Sequence, residues 1–459
     1  MSIRKLFGTD GIRGKANVYP MTGDMAFQLG RAVTHHFQLE NNCQKKKPLI
    51  IVGKDTRLSC YMLEQAFAAG VCSQGGEVIL TGPLPTPGVA FVTKSMRADA
   101  GVMISASHNV FSDNGIKLFD PKGFKLPDEV ELQLEKMVLD PKLIPQKIDD
   151  ELGNAKRLKE VFGRYIVHCK NALSDEYDLE DMRVVLDCAN GAGYKVAPMM
   201  FSELGAEVLS LGVKPNGQNI NLECGSMHPE KATELVKKYR ADIGICLDGD
   251  ADRCVIIDEN GKAVDGDKLI ALFAKLLLDQ KVLKKGDTVV GTIMSNLGLE
   301  NQLKEWGLNF HRTQVGDRYI IEYMKEHNAK LGGEPSGHII FTDHGTTGDG
   351  SVAGLKVIEA TKFYNKKVGE LVADIKLYPQ VLKSCTVAHK PDLSTLPKVQ
   401  DSLKNAETEL GKKGRVILRY SGTEPKIRVM VEGEDETLIN KHCGHLLDAI
   451  QSELGKIDK

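Results

Sequence analysis

The segment Leu49–Gly53, with the sequence LIIVG, is a short, uninterrupted apolar run, as expected of a strand buried on both faces of a sheet. Met62–Gly70 follows as a helix, and Glu77–Leu80 is the next strand. Pro85-Thr86-Pro87 begins another helix, because proline is favoured in the first helical turn, and Ala100–Ile104 is a further strand. This alternation predicts a mostly parallel sheet with helices on its faces.

The same alternation occurs twice more along the chain. Arg183–Leu186 is a predicted strand, followed by a helix that ends at Leu204 and a strand that starts at Glu207. Thr288–Ile293 is another predicted strand, followed by a helix that ends at Trp306. We therefore predict three tandem, related α/β domains.

The last part of the chain follows a different pattern. The predicted elements are a helix, two strands and a helix, at Val399–Leu410, Gly414–Arg419, Ile427–Val431 and Leu438–Leu454. They indicate a smaller C-terminal α+β domain. Charged or proline-bearing stretches near residues 152–156 and 378–383 are expected to be linkers. The predicted domains are residues 1–152, 153–255, 256–368 and 369–459, with a hairpin turn near the second boundary at residues 258–261.

The bulk composition is that of a globular protein with full hydrophobic cores. The 459 residues are 42% hydrophobic and 27% charged, and the net charge is −2. Such a balance gives no global field that would favour nucleic acid or an anionic membrane. The apolar runs are too short to span a bilayer, and residues 1–8 do not resemble a signal peptide. The ten cysteines form no C-x-x-C pair, so buried thiols in a reducing cytoplasm are expected.

A candidate nucleophile follows the strand that ends at Ile104. Ser107 belongs to Ser105-Ala106-Ser107-His108-Asn109, at the carboxyl end of a strand, where functional residues of open α/β sheets gather. His108 adds a nitrogen beside it, and Lys117 could return to the same place after the turn. The alternative is an ordinary polar loop with a capping serine. Ser107 lacks the flanking glycines of the G-x-S-x-G motif, which argues against esterase chemistry.

Three aspartates alternate directly after the apolar strand Ile243–Leu247. Alternate side chains of an extended chain face the same way, so Asp248, Asp250 and Asp252 would crowd one site. At about 4 Å and an effective dielectric constant of about 20, each carboxylate pair repels by roughly 4 kcal/mol. A divalent cation would remove that cost, and hard oxygen ligands favour Mg²⁺. The alternative is an exposed acidic turn with the carboxylates apart.

An EF-hand is excluded at this position, although Glu259 stands twelfth from Asp248. Arg253 occupies the sixth position, where that loop needs glycine, and Val255–Ile257 is a predicted strand where a helix should begin. Arg253 beside the acids suggests that an anion binds there too.

Other loops offer groups that suit a phosphorylated sugar. Arg419–Pro425, with Arg428 after it, provides two guanidinium groups, two hydroxyls and a glycine amide that could surround a phosphate, or it is an ordinary polar turn. Gly332–His338 offers a carboxylate, a hydroxyl and an imidazole, and Val315–Arg318 is equally open to both interpretations. Arg13 and the segment Lys54–Arg57 could reach a phosphate or could be surface charges.

Five segments together give the chain its resemblance to the α-D-phosphohexomutase superfamily. They are Phe7–Gly14, Ile104–Asn109, Asp248–Arg253, Gly345–Gly350 and Arg419–Pro425, in the family's order. The resemblance covers essentially the whole chain. It implies three related α/β domains with mixed sheets and a smaller C-terminal α+β domain, arranged around one central cleft.

The resemblance also implies roles for individual residues. Ser107 would carry a phosphoryl group, and its oxygen would bind one Mg²⁺ together with Asp248, Asp250 and Asp252. The implied catalytic residues are Ser107, His108, Lys117 and Arg13, with the general acid and base left open. The implied substrate-binding residues are Arg253, Arg318, Glu334, Ser336, His338, Arg419, Ser421, Gly422, Thr423 and Arg428.

The most similar members of that superfamily act on glucosamine phosphates. The implied reaction interconverts glucosamine 6-phosphate and glucosamine 1-phosphate in the cytoplasm, with glucosamine 1,6-bisphosphate as intermediate and activator, and feeds amino-sugar nucleotide and peptidoglycan precursor synthesis. The implied partner is a small sugar phosphate, and a homodimer is compatible with the resemblance. Alternatives are the same reaction on mannose or glucose phosphates, a phosphatase, and an inactive sugar-phosphate-binding protein.

Two residues depart from the family pattern. Val110 stands where the family usually has the proline of Ser-His-Asn-Pro, and Pro335 stands where the glucosamine-phosphate members usually have glutamine. The first predicts a more flexible nucleophile loop, and the second bears on the preference for an amino sugar.

Overall fold

The computed structural model describes residues 5–8, 10–40, 47–158, 160–420 and 425–455. In this part of the chain, the strands form a six-stranded, a five-stranded, a four-stranded and a three-stranded sheet, in chain order. We call the parts of the chain that build them the first, second, third and fourth units. No helix among the described residues is long and apolar enough to cross a membrane.

The first unit is built on a mixed sheet with the order β1–β5–β4–β2–β3–β6. Its inner strands β4, β2 and β3 are parallel, and β5 pairs antiparallel with β4. The elements are β1 (Ile12–Lys15), α1 (Gly23–Glu40), β2 (Leu49–Lys54), α2 (Ser59–Ser73), β3 (Glu77–Pro83), α3 (Thr86–Ser95), β4 (Ala100–Ile104), β5 (Asp113–Phe119), α4 (Asp128–Leu139) and β6 (Asn154–Arg157).

The second and third units repeat this plan. Their sheets have the orders β11–β10–β9–β7–β8 and β13–β12–β14–β15. The second unit contains α5 (Val161–Lys170), β7 (Arg183–Asp187), α6 (Val196–Glu203), β8 (Glu207–Leu211), α7 (Glu230–Tyr239), β9 (Ile243–Leu247), β10 (Cys254–Ile257) and β11 (Ala263–Val264). The third contains α8 (Gly266–Asp279), β12 (Thr288–Thr292), α9 (Leu297–Glu305), β13 (Asn309–Thr313), α10 (Asp317–His327), β14 (Leu331–Gly333), β15 (Ile339–Phe341), α11 (Gly350–Tyr364) and α12 (Val368–Ala373).

The fourth unit is smaller and its sheet is antiparallel, with the order β16–β18–β17. Its elements are β16 (Gln380–Thr386), α13 (Pro397–Leu410), β17 (Gly414–Tyr420), β18 (Lys426–Gly433) and α14 (Glu436–Leu454). Short 3₁₀ turns lie at residues 141–143, 149–151, 393–395 and 411–413. The predicted class is confirmed: three related α/β units with mixed sheets are followed by a smaller C-terminal unit.

Both predicted linkers are wrong. Residues 154–157 form β6, which pairs parallel with β3, and residues 380–386 form β16, which pairs with β18. The second sheet likewise continues past residue 255, because β11 pairs with β10 through the hairpin predicted at residues 258–261. We therefore propose that the unit boundaries lie after β6 and after β11 instead of after residues 152 and 255.

The hydrophobic cores show how the units are joined. One continuous core includes Ile51 and Val89 of the first unit, Leu186 of the second, and Phe273 and Leu355 of the third. The fourth unit has a separate core between α13, α14 and its own sheet. The first three units therefore share one apolar interior, and the fourth packs as a body of its own.

Candidate active site

The three α/β units each place one loop at the same point of their sheets. In each unit, a strand that runs parallel to its inner neighbour turns back into an antiparallel partner, at β4–β5, β9–β10 and β14–β15. The connecting loops start at the carboxyl end of a parallel strand, where open sheets hold ligands. They carry Ser107, the aspartate triplet and Glu334–His338, respectively.

Ser107 lies buried against the aspartate triplet. Its hydroxyl donates a hydrogen bond to Oδ2 of Asp248 at 2.6 Å, and 1% of the residue is exposed. Nδ1 of His108 lies 3.5 Å from the same hydroxyl. The backbone φ of Ser107 is 52°, in the left-handed region that few non-glycine residues adopt. The predicted meeting of the nucleophile loop with the three aspartates is therefore present.

Two side chains hold the nucleophile loop in place, a role that the sequence did not indicate for either of them. Nδ2 of Asn221 donates to the carbonyl oxygens of Ser107 at 2.9 Å and of Asn109 at 3.0 Å. An Nη of Arg57 donates to the same two oxygens at 3.1 and 2.6 Å. Asn221 comes from the second unit and follows no recognisable motif. Arg57, expected to reach a phosphate or to be a surface charge, is instead fully buried and pairs with Asp55.

The segment Lys54–Arg57 therefore has a structural role. Lys54 is buried as well, and its ammonium group donates to Glu64 at 2.8 Å. Both cations are buried, so the interpretation as surface charges is wrong: Lys54 pairs inside the first unit, and Arg57 supports the nucleophile loop.

A glycine is required where the loop after β4 crosses the loop after β9. A Cβ on Gly249 would lie 2.4 Å from the carbonyl oxygen of Ser107 and 2.9 Å from Nδ2 of Asn221. Both are shorter than a normal van der Waals contact, so a side chain here would push the nucleophile loop away from the aspartates.

Lys117 is buried among the carboxylates. Its Nζ lies 2.8 Å from Oδ2 of Asp250, and 3.2 Å from carboxylate oxygens of both Asp252 and Asp10. Burial lowers the pKa of Lys117, but Asp10 and Asp250 outweigh it and hold the pKa well above its usual value. Lys117 therefore stays protonated and offsets part of the repulsion between the acids, which the sequence argument did not include.

The aspartate triplet has room and free lone pairs for a cation. Carboxylate oxygens of Asp248, Asp250 and Asp252 lie within 4.8 Å of one another and all three residues are buried. Among the described residues, Oδ1 of Asp250 and Oδ1 of Asp252 are buried and accept no hydrogen bond. Burial, with the neighbouring carboxylates, raises the pKa of Asp248 well above its usual value. A hard divalent ion would satisfy these oxygens, so the residues fit a metal site.

Cations and a neutral histidine surround the triplet. An Nη of Arg253 donates to Nδ1 of His108 at 2.9 Å, and Arg13 pairs with Asp10. Burial, Arg253 and Arg13 lower the pKa of His108 to about 4, so the imidazole is neutral near pH 7. Asp10 also pairs with Lys125, which joins Asp317 of the third unit at 2.7 Å.

The loop between β14 and β15 reaches the aspartates through His338. Nδ1 of His338 lies 3.7 Å from Oδ1 of Asp252, and its Nε2 accepts from the backbone N–H of Gly348 at 3.1 Å. Burial opposes its protonation, but Asp252 and Asp317 raise the pKa of His338 above its usual value. Glu334 accepts from the N–H of Gly316 at 3.1 Å. Its other oxygen accepts from the Ser336 hydroxyl at 3.4 Å.

Arg318, expected to bind substrate, is engaged with two acids of another unit. Its guanidinium group donates to the two carboxylate oxygens of Glu131 at 2.6 and 3.1 Å, and it also pairs with Asp128. Both acids belong to α4 of the first unit, and 4% of Arg318 is exposed. A guanidinium group held by two carboxylates has little capacity left for a phosphate. Arg318 instead ties the first unit to the third, a partnership that sequence spacing does not reveal.

The two arginines of the fourth unit stand opposite each other on its sheet. Arg419 of β17 and Arg428 of β18 are register partners. Burial and the neighbouring charge of Arg428 lower the pKa of Arg419. Like charges in such a pair repel, and an anion between them would remove the repulsion. Ser421, Gly422 and Thr423, expected to bind the same anion, lie outside the described residues.

Comparison with known proteins matches each unit to a family model. The models are the phosphoglucomutase/phosphomannomutase alpha/beta/alpha domains I, II and III, at residues 4–143, 163–261 and 265–378, and the C-terminal domain at residues 382–448. Phosphoglucosamine mutase of Pelobacter propionicus is 51% identical over 455 residues, covering 99% of this chain and 100% of the relative. That of Geobacter metallireducens is 50% identical over 454 residues, with 99% and 100% covered.

Solved structures with low sequence identity share the fold. A phosphoglucomutase/phosphomannomutase family protein of Burkholderia thailandensis superposes with a TM-score of 0.80 at 21% identity, covering 97% of each chain. Aspergillus fumigatus N-acetylphosphoglucosamine mutase, solved with GlcNAc-6P and magnesium, gives 0.67 at 18% identity over 98% of this chain and 96% of that one. With half of its residues identical over nearly its whole length, the chain belongs to the phosphoglucosamine mutases, isomerases of the phosphoglucomutase/phosphomannomutase family.

Proposed function

We propose that the enzyme interconverts glucosamine 6-phosphate and glucosamine 1-phosphate through a phosphoryl group carried on Ser107. The observation that carries the proposal is the buried hydrogen bond of 2.6 Å between the Ser107 hydroxyl and Asp248, at the crossing of two loops. The phosphoserine transfers its phosphoryl group to the free sugar hydroxyl, and glucosamine 1,6-bisphosphate forms. This intermediate turns around in the cleft, and Ser107 takes back the phosphoryl group from the other end.

Asp248, Asp250 and Asp252 would hold one Mg²⁺ beside Ser107, and the two buried oxygens that accept no hydrogen bond support this assignment. The ion supplies positive charge next to the serine oxygen as the phosphoryl group leaves or returns. Lys117, which keeps its proton, orients the carboxylates of Asp250 and Asp252 and offers a donor to the phosphoserine. Arg13 and Arg253 add positive charge on the side of His108.

His108 lies beside the reacting hydroxyl as a neutral imidazole. Its Nδ1 is 3.5 Å from the Ser107 hydroxyl, but it already accepts from Arg253 at 2.9 Å, and its pKa of about 4 makes it a weak proton acceptor. A sugar hydroxyl that attacks the phosphoserine loses its proton in this region. Lys117 is a poor proton acceptor because the surrounding carboxylates hold its proton.

The sugar and its second phosphate would contact the loops of the third and fourth units. Glu334, Ser336 and His338 offer groups for the sugar hydroxyls, and Arg419 with Arg428 offers a cationic pair for the phosphate that does not react. A separate binding site for the second phosphate favours a mutase over a phosphatase. In a mutase the bisphosphate intermediate must stay bound while it reorients, and this site would retain it. The relatives at about 50% identity favour glucosamine phosphate over mannose or glucose phosphate.

The cytoplasm is the compartment that we propose for this reaction. Seven of the free cysteines in the described part of the chain are buried: Cys60, Cys169, Cys188, Cys224, Cys246, Cys254 and Cys443. Proteins that keep this many thiols are typical of reducing compartments.

The test compares the wild type with Ser107→Ala and with Ser73→Ala, a helix residue of the first unit. We expect peptide mapping to find phosphate on residue 107 of the wild type, and Ser107→Ala to fold normally without mutase activity. The wild type should have its highest kcat/KM on glucosamine 6-phosphate among the glucosamine, mannose and glucose phosphates. Near-normal turnover by Ser107→Ala would refute the role of the serine, and a preference for mannose phosphate would refute the substrate.

A further inference from the structure

A second cavity, outside the crossing of the loops, lies where the first three units meet. It has a volume of about 390 Å³. Its walls come from α3 and the turn after β5 in the first unit, α5 in the second, and α10 with residues 342–349 in the third. Cavities of this volume are typical of small-molecule sites.

Three lysines line this cavity without an acidic partner. Lys94, Lys122 and Lys325 form no ion pair with any carboxylate among the described residues. Lys325 lies over the ring of Phe124 at 4.9 Å, so the position of its ammonium group is set by the cavity wall. All three lysines are exposed, so water can solvate their ammonium groups; together they give the mouth of the cavity a positive charge, which favours an anionic occupant.

The two carboxylates that line the cavity are engaged by groups other than these lysines. Asp343 is engaged with Lys330 at 2.6 Å, outside the lining. Asp349 caps α11 and accepts from the Tyr165 hydroxyl at 2.7 Å. Burial lowers the pKa of His168, and burial together with Lys356 lowers the pKa of His344 to about 4, so both imidazoles are neutral near pH 7.

The inner wall is apolar and partly aromatic. Phe91 is stacked on His168 with a centroid distance of 3.9 Å, and Ala90 and Met324 lie beside them. An inorganic anion alone would leave this wall exposed to water. An occupant that matches the site has a flat, weakly polar body and an anionic end.

We propose that this cavity is a regulatory site for a nucleoside diphosphate. A diphosphate ester carries about three negative charges near neutral pH, because the second pKa of a terminal phosphate is about 6, and so it matches the three lysines. The base and ribose would lie against the wall formed by Phe91 and His168. This site is separate from the sugar cleft and goes beyond the proposed reaction.

The cavity wall is directly connected to the active-site loops. The Thr346 hydroxyl donates to the carbonyl oxygen of Gly123 at 2.5 Å and so ties the third unit to the first. Two residues later, the N–H of Gly348 donates to His338, which lies beside Asp252. A ligand that moves residues 342–349 would therefore change the position of His338, and with it turnover.

The test measures binding of UDP by calorimetry at about 0.1 M salt, with uridine and inorganic pyrophosphate as partial ligands. The cavity variant carries Lys94→Gln, Lys122→Gln and Lys325→Gln. The matched control carries the same change of charge elsewhere, at the exposed residues Lys281, Lys284 and Lys404, each replaced by glutamine. Neither variant alters a residue of the sugar cleft, so basal turnover should be that of the wild type.

We expect UDP to bind the wild type and the control alike and the cavity variant at least tenfold more weakly. Uridine and pyrophosphate should each bind the wild type at least tenfold more weakly than UDP. Saturating UDP should change kcat of the wild type at least twofold and leave the cavity variant unaffected. Equal UDP affinity in wild type and cavity variant, or pyrophosphate binding as tightly as UDP, would overturn the site. An unchanged kcat would overturn its regulatory role.

Discussion

Hydrogen bonds to its carbonyl oxygen and its N–H hold Ser107 in its left-handed backbone conformation. The residue accepts two hydrogen bonds at its carbonyl oxygen, from Asn221 and Arg57, and its N–H donates to the Ser105 hydroxyl at 2.9 Å. A sparsely populated φ/ψ combination costs a serine on the order of 1–3 kcal/mol, and the residue keeps it only where the surroundings enforce it. The orientation of the nucleophile therefore depends on Asn221, a residue of a different unit.

Asn221→Asp tests this dependence with minimal change in shape. The carboxylate would face the two carbonyl oxygens that the amide now serves, while aspartate still tolerates the backbone φ of 57° at this position. Because catalytic groups displaced by about 1 Å lose up to about 100-fold in rate, we expect kcat to fall on the order of 10–100-fold with little change in KM. Steady-state kinetics on the sugar phosphate measures both.

Asn365→Asp is the matched control, because Asn365 has a φ of 51° and lies at the end of α11. It should leave kcat unchanged. If Asn221→Asp retains wild-type kcat, or raises only KM, Asn221 does not position the nucleophile.

At the scale of elements, the repeated hairpin explains which parts of the site sequence reasoning could find. The loops after β4 and β9 each follow an apolar strand and contain an unusual residue pattern, so Ser107 and the aspartates could be predicted. The short strands β14 and β15 have only three residues each, so the groups of the corresponding loop were noted from the sequence, but an ordinary turn stayed open as the alternative.

The failed predictions have a common physical cause. β6 and β16 are edge strands whose side chains are largely exposed, so they lack the apolar run that marks an inner strand and were mistaken for linkers. Two contacts that were not predicted have a similar origin: the acidic partners of Arg318 lie in another unit, and the carbonyl partners of Arg57 lie on another loop. Spacing along one segment carries no information about such pairs.

A buried carboxyl group at the start of α8, that of Asp267, makes the stability of the fold depend on pH. Asp267 accepts from the N–H of Asn296 at 2.7 Å, and its other oxygen is buried without a hydrogen bond. Burial raises the pKa of Asp267 from 3.8 to about 7. The folded protein therefore binds this proton at a higher pH than the unfolded chain does. Its contribution to stability grows as the pH falls from about 7 towards 3.8 and is lost above about 7.

Asp267→Asn should remove this dependence, because the amide keeps an acceptor for Asn296 and carries no charge. A carboxyl whose pKa is higher in the folded protein than in the unfolded chain costs on the order of 1.4 kcal/mol of stability, once ionised, for each tenfold difference in proton affinity. We therefore expect the variant to be more stable than the wild type at pH 8 by a few kcal/mol, and this difference to narrow to less than half by pH 5, because it vanishes only as the pH approaches 3.8. Thermal unfolding at the two pH values measures it. Asp175→Asn, at an exposed position, is the control. If Asp267→Asn differed from the wild type in stability by the same amount at both pH values, Asp267 would not be the group that titrates.

At the scale of the whole molecule, the fourth unit contacts the rest of the protein through one neighbouring region. Among the described residues, its side-chain hydrogen bonds to the rest of the chain go to the third unit and the segment that follows it. Glu432, fully buried, accepts from the N–H of Leu297 at 2.5 Å and from Nε of Arg415 at 2.6 Å. Arg415 also donates to the carbonyl oxygens of Ile293, at 2.9 Å, and of Ser295. This contact sets the orientation of the unit that carries Arg419.

Arg415→Met tests the contact. It leaves Glu432 buried beside a single donor, and breaking a buried ion pair in this way costs roughly 3–5 kcal/mol. We expect the fourth unit to lose its fixed orientation, so that KM for the sugar phosphate rises at least tenfold while phosphate on Ser107 is retained. Kinetics and peptide mapping measure the two quantities.

Lys441→Met is the control, because it breaks a half-exposed ion pair with Glu409 inside the fourth unit. Its KM should equal that of the wild type. A wild-type KM in Arg415→Met would show that the orientation of the fourth unit is fixed elsewhere.

The shared interior of the first three units and the separate core of the fourth make the chain divisible at one point. A polypeptide that ends before β16 would retain the shared hydrophobic core, Ser107 and the three aspartates. It would lack the arginine pair of β17 and β18. A cut between β6 and α5 would instead expose the hydrophobic core that the first three units share. It would also separate Ser107 from Asn221, which holds its loop. Proteases that act on the folded enzyme should therefore release the fourth unit and spare the other three.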